Sequence, residues 1–149
     1  MGKGILAHYR DHGVQPRGCG EPRRRVGVSA KFGNLPVDHI IVTLTDAKLA
    51  KGPAGMLVEG ILANFVVNMS IVGGIFAKEI ISKFIVIVPF IAAFVGMGLE
   101  HVIANFCLVC LTFFDVGAFP EHFTLGAVLT NWVIVWVGNV IGGGFLIGG

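Results

Sequence analysis

The sequence predicts an all-helical integral membrane protein with three transmembrane segments, of which the middle one is a broken helix. Hydrophobic residues make up 54% of the 149 residues and charged residues only 13%, against about 25% charged in ordinary soluble domains. Three apolar stretches, at residues 56–76, 84–114 and 128–148, are each long enough to cross a bilayer core of about 30 Å. A chain of this length is expected to form one compact unit.

Residues 1–35 form a polar leader rich in arginine and glycine. Every arginine of the chain lies within its first 25 residues, and three of them are consecutive at 23–25. Such a run can bind nucleic acid or a membrane surface, but no aromatic residues are interleaved with it. We therefore predict a disordered, solvated leader and no nucleic-acid partner. A signal peptide would need an apolar core of about 7–15 residues after its charges, and the leader contains none.

Residues 36–55 are mixed in polarity and predict an interfacial connector, which carries Lys48 and Lys51. The first membrane segment, residues 56–76, has Asn64 and Asn68 on one helical face, because they follow the spacing that places side chains on a common stripe. Two interpretations of these amides remain open: hydrogen bonds between helices, or donors that line a pore.

The middle segment, residues 84–114, is the most informative stretch of the chain. As one helix it would be about 46 Å long, and its only charged pair, Glu100 and His101, would lie near mid-depth. Ionisable groups at that depth usually mark a pathway. Gly96 and Gly98 precede the pair and can end a helix. We predict a break at residues 98–102; the alternative is one long tilted helix with the pair at a helix contact.

The last segment, residues 128–148, contains two GxxxG pairs and Asn139. The pairs Gly138/Gly142 and Gly144/Gly148 predict close packing against a neighbouring helix. Cys107 and Cys110 form a CxxC pair inside an apolar helix, without the further ligands that a zinc site needs. No nucleophile and base are paired in the sequence, so we predict no enzyme, no metal and no cofactor.

Three motifs together give the chain a specific resemblance. GILAN at 60–64, GLEHVIAN at 98–105 and NWVIVWVGNVIGGG at 131–144 occur in the order found in the C-terminal half of the formate/nitrite transporter family. The similarity runs from about residue 45 to the end. It implies the second inverted repeat of a six-helix, aquaporin-like channel, and assembly as a homopentamer with one pore in each protomer.

The resemblance also implies roles for particular residues. His101 is similar to the central pore histidine of the family, with Glu100 beside it, and Lys48 to the lysine near that histidine. The other residues carried over are the polar pair Asn64 and Asn139 and the constriction aromatic Phe94. Val102 and Leu99 depart from the family, which often has serine and an aromatic residue there.

The function implied is that of a channel or transporter fragment in the inner cell membrane. It would pass small monovalent anions, formate or nitrite and in some members hydrosulfide or lactate, with linkage to protons. Because the first repeat is not found in the sequence, we expect half a transporter that conducts no formate on its own. Two alternatives remain: a structural membrane subunit that transports nothing, and a channel for a neutral small molecule.

Overall fold

The computed structural model describes residues 35–148, so the predicted leader lies outside the described residues except for Leu35. Five α-helices occupy this part of the chain: α1 Ile40–Leu49, α2 Pro53–Phe76, α3 Ile80–Gly96, α4 Val102–Asp115 and α5 Leu125–Val140. The last helix continues into a π-helical turn, Ile141–Phe145. Within residues 35–148 there is no β-strand, only an isolated bridge between Leu35 and Val116. The all-helical fold is therefore confirmed.

The predicted connector, residues 36–55, contains helix α1 and the start of α2. The His39 side chain caps α1 by accepting the backbone N–H of Ile41 through Nδ1 at 3.2 Å. Pro53 opens α2 at a position where the missing N–H has no consequence. Because α1 packs against α4, the end of α1 and the short turn into α2 are held beside the break in the middle segment.

Helices α2 and α5 pack with their backbones in close contact at glycines. A Cβ atom on Gly138 would lie 2.7 Å from the carbonyl oxygen of Leu57, and one on Gly142 would overlap the Ile61 carbonyl even more closely. The predicted close packing is confirmed for this first GxxxG pair. At Gly144 and Gly148 an added Cβ would have no atom of another helix of residues 35–148 within 3.8 Å, so the second pair makes no such contact in the described part of the chain.

Two helical stretches are long and apolar enough to cross a membrane, on length and composition alone: Pro53–Phe76 and Leu125–Phe145. Helices α3 and α4 are apolar but shorter, about 25 and 21 Å at the usual rise per residue. Helix α3 has no buried residue, and large apolar side chains such as Phe76 and Ile80 are exposed. So much exposed apolar surface needs lipid or protein to cover it. The third span and its break within a membrane stay predictions.

Candidate functional site

Helical hydrogen bonding is not continuous through the middle segment. Helix α3 ends at Gly96 and α4 begins at Val102. Gly98 has a φ of 63°, a left-handed conformation that glycine adopts without steric cost and that commonly ends helices. Its N–H donates to the carbonyl of Val95 at 3.0 Å. The turn between the two helices presents Glu100 and His101, and we refer to residues 97–101 as the break.

The carboxylate of Glu100 is the centre of the site and is fully buried. Its Oε1 accepts hydrogen bonds from Lys48 Nζ at 3.0 Å and from Lys51 Nζ at 2.8 Å. Its Oε2 accepts from Asn105 Nδ2, in a short hydrogen bond, and from Asn131 Nδ2 at 3.5 Å. A buried carboxylate is tolerated when it is paired and hydrogen-bonded. Both conditions are met here.

Lys51 connects Glu100 to a second carboxylate. Its Nζ lies 2.5 Å from Glu59 Oε2, so one ammonium bridges two acids. Burial by itself lowers the pKa of Lys51, but hydrogen bonds to Glu100 and Glu59 and the attraction of both carboxylates outweigh it. The pKa of Lys51 therefore lies above its ordinary value, and the ammonium stays charged in the neutral range.

The amide of Asn139, on α5, holds the two sides of the break together. Its Oδ1 accepts the first N–H of α4, from Val102, at 3.0 Å. Its Nδ2 donates to the carbonyls of Glu100 at 3.1 Å and Gly60 at 2.8 Å. Asn64 Nδ2 in turn donates to the Asn139 carbonyl at 2.6 Å. Two backbone groups that the break leaves without helical partners, the Val102 N–H and the Glu100 carbonyl, are thus satisfied by the side chain of Asn139 on α5.

His101 is the N-cap residue of α4 and is half-buried. Its ring meets the ring of Phe94 edge-on, with centroids 5.7 Å apart. Among residues 35–148 neither imidazole nitrogen has a hydrogen-bond partner. Lys48, which the resemblance places near His101, binds the carboxylate of the preceding residue, Glu100.

The structure brings the predicted site residues into one connected set around the break, by hydrogen bonds, by the ring contact and by adjacency in the chain. Their part in transport stays a prediction. Sequence reasoning missed four members of the set: Lys51, Glu59, Asn105 and Asn131. Asn105 and Asn131 could have been found from the sequence, because both lie inside the motifs that carry the resemblance.

The remaining candidate groups do not form a site in the described part of the chain. Cys107 and Cys110 are free thiols. Across residues 35–148 no group of three or more histidine, cysteine, aspartate or glutamate side chains could hold a metal ion. His122 is exposed and binds Asp46, with its Nδ1 3.2 Å from the carboxylate, which fastens the loop before α5 to α1.

Comparison with known proteins gives a consistent result. A family profile described as "Formate/nitrite transporter" matches residues 26–149. The chain is 33% identical over 104 residues to a "Formate-nitrite transporter" of Entamoeba histolytica, covering 69% of this chain and 28% of that protein. It is 32% identical over 105 residues to the "Formate channel FocA" of Escherichia coli, covering 60% of this chain and 36% of that protein.

Two further matches extend the similarity. The "Nitrite transporter NirC" of Escherichia coli is 35% identical over 115 residues, which cover 76% of this chain and 42% of NirC. A solved "FNT family ion channel" superposes with a TM-score of 0.68 at 25% identity, covering 76% of this chain and 44% of the channel. The chain thus spans less than half the length of the relatives that it matches.

Proposed function

The chain belongs to the formate/nitrite transporter family, and from that premise we propose that it forms one half of a proton-linked channel for small monovalent anions, formate or nitrite. Hydrosulfide and lactate, which also carry a single negative charge, are included in the same proposal. In this proposal α3, the break and α4 make a single discontinuous membrane crossing between the spans of α2 and α5. The break then lies at depth, where irregular backbone must be covered by protein or line a cavity.

The observation that carries the proposal is the charged turn at the break. A fully buried Glu100 carboxylate with two ammonium groups, beside a histidine whose ring nitrogens have no hydrogen-bond partner among residues 35–148, is costly to maintain in an apolar fold. Ionisable groups at membrane depth usually mark the path of an ion or a proton. A structural subunit that packs only through glycines would not need them.

In this proposal the site residues have three roles: they attract the anion, exchange a proton with it, or hold the other residues in position. An anion entering an apolar passage loses its hydration at a large cost, and the Lys48 ammonium and the N-terminus of α4 offer positive potential in return. His101 is the group suited to exchange a proton near neutral pH, so that a neutral acid crosses the constriction beside Phe94. Glu100, fully buried, positions the cations and does not touch the anion.

Asn64 and Asn139 belong to the support. Asn139 bonds the carbonyl of Glu100 and the first amide of α4, and with them it fixes the direction in which His101 projects, while Asn64 bonds the carbonyl of Asn139. We propose a complete pore only where a second half, related by the family's inverted repeat, covers the break. We also propose homopentameric assembly in the inner cell membrane, as the family resemblance implies.

The test is formate uptake into proteoliposomes by two preparations. The first is the 149-residue chain alone. The second is a chimera in which residues 36–149 replace the matching part of the Escherichia coli formate channel. We expect no uptake by the first and uptake by the second, because only the chimera has both halves of a pore. Uptake of a neutral solute of similar size by the chimera, without formate uptake, would favour a neutral-molecule channel.

The histidine is tested in the chimera with a matched pair of variants. Asparagine keeps one hydrogen bond but takes up no proton, so His101→Asn should remove the pH dependence of formate uptake between about pH 5 and 8, the range in which histidine usually titrates. His122→Asn changes an exposed histidine at the surface and should leave the profile unchanged. An unaltered profile in His101→Asn would make His101 a structural residue.

A further inference from the structure

We propose that Lys51 and Glu59 form a charge-setting pair that fixes the electrostatic potential at the break and, through it, the affinity of the channel for its anion. The inference rests on the proposed function for the identity of the ligand, an anion of single charge. It adds two residues to the site that neither the motifs nor the resemblance assigned. It also assigns them opposite effects, which a structural salt bridge would not have.

The charges around the break carry the argument. Glu100 is already compensated by Lys48, whose Nζ lies 3.0 Å from Oε1. Lys51 binds the same oxygen at 2.8 Å, so the buried carboxylate has one cation more than neutrality needs. Glu59, which contacts Lys51 at 2.5 Å, returns the cluster of two lysines and two glutamates to zero net charge. The potential at the break therefore depends on how fully Glu59 neutralises Lys51.

The exposure of the pair fits this role better than a stabilising one. The side chains of Lys51 and Glu59 are 29% and 31% exposed, against 0% for Glu100. An ion pair as open to solvent as Lys51–Glu59 contributes little to stability, so this bridge, unlike the contact of Lys51 with the buried Glu100, is not needed to hold the fold. Their field still reaches the break, because Lys51 touches the Glu100 carboxylate directly and the space between is protein rather than water.

Substituting Lys51 and substituting Glu59 should therefore have opposite effects on the affinity for the anion. Lys51→Met leaves the cluster with a net charge of −1 and should raise the KM for formate. Glu59→Gln leaves +1 and should lower it. We expect changes of about threefold to tenfold at low salt, shrinking as ionic strength rises. The double variant is neutral again and should return close to the wild-type KM, although the salt bridge is lost in all three proteins.

The potential itself can be measured without transport. Met97 is exposed and lies in the break, next to Gly98, whose carbonyl accepts from Lys48. In the 149-residue chain with its native cysteines replaced, Met97→Cys is treated with a negatively and a positively charged methanethiosulfonate reagent. The rate with the negative reagent divided by the rate with the positive reagent should fall by about threefold to tenfold with Lys51→Met. The same ratio should rise by a similar factor with Glu59→Gln.

A control pair lies at the other end of α2. Lys78→Met and Glu79→Gln remove the same charges from exposed residues. Helix α2, with 24 residues and a length of about 36 Å, separates them from Lys51. They should change neither the KM for formate nor the ratio of reagent rates. Rate ratios that do not respond, or that respond in the same direction to both substitutions, would overturn the inference.

The KM measurement is made in the preparation that transports formate. Opposite shifts in KM, together with opposite shifts in the rate ratio, support the inference. If the wild type takes up no formate in either preparation, the proposed function fails and the claim about anion affinity fails with it. The rate ratios then still decide whether the pair sets the potential.

Discussion

Removing the charge of Glu100, without changing its shape, tests the account of the break. Glu100→Gln keeps an oxygen that can accept from Asn105 and Asn131, but leaves Lys48 and Lys51 facing each other without the carboxylate between them. Both ammonium groups contact the same Oε1, at 3.0 and 2.8 Å. The substitution therefore replaces two attractions with one repulsion.

The size of the effect follows from burial. Removing one partner of a buried ion pair typically costs about 3–5 kcal/mol. The two lysines are 14% and 29% exposed, so a small movement rehydrates them and recovers part of that loss. We therefore expect Glu100→Gln to lower the free energy of unfolding by about 2–3 kcal/mol, against less than about 0.5 kcal/mol for Glu121→Gln in an exposed loop.

The assay is reversible unfolding of the 149-residue chain in mixed detergent micelles, followed by circular dichroism. Adding Lys51→Met to Glu100→Gln should recover part of the lost stability, because the second substitution removes the repulsion; this makes the two changes non-additive. The reasoning would be refuted by a Glu100→Gln protein as stable as the wild type. It would also be refuted if the double variant lost more unfolding free energy than the two single variants lose together.

Two further predictions concern the helices that support the break. Gly142→Ala should destabilise the chain by about 1–3 kcal/mol, because the new methyl group meets the backbone of Ile61. At Gly126 an added Cβ would have no atom within 4 Å, so Gly126→Ala should be neutral or stabilising by up to about 1 kcal/mol. The same unfolding assay compares the two variants. Asn139→Ala should cost about 2 kcal/mol for three lost hydrogen bonds at about 0.6 kcal/mol each. It should also speed hydrogen exchange at the Val102 amide, whereas unchanged exchange there would argue against the cap.

The position of the interruption was readable from the sequence for a simple physical reason. A charged pair in an otherwise apolar run is expensive enough to require a special structure, and a glycine nearby supplies the backbone conformation that ends a helix. The helix does end there, with Gly98 in the left-handed region. The site residues could be predicted because most of them lie in or near the three motifs. Which of them touch one another could not be predicted from their spacing in the sequence.

Helix α1 was not predicted, because its buried stripe is partly polar. Its buried positions are Val42, Thr45 and Leu49, and the threonine hides the apolar period. The Thr45 Oγ1 lies 2.7 Å from the Ile41 carbonyl within α1 and, across the helix contact, 2.9 Å from the Oγ1 of Thr112 on α4. Lys51 was missed for a related reason: its contacts depend on the turn from α1 into α2, which no local pattern specifies.

The break is therefore a property of the whole helical assembly and not of its own residues. Within the turn, only Gly98 favours the interruption by its own conformation. The groups that the interruption exposes are satisfied from elsewhere: the Glu100 carboxylate by lysines from the end of α1 and the turn after it, and the first amide of α4 by Asn139 of α5. A channel gains from this arrangement, because the same contacts that stabilise the break also fix the charges and the histidine beside it. Changing a supporting residue should then alter transport and stability together, whereas Glu59, which pairs with Lys51 at the partly exposed edge of the cluster, can adjust the charge with little effect on the fold.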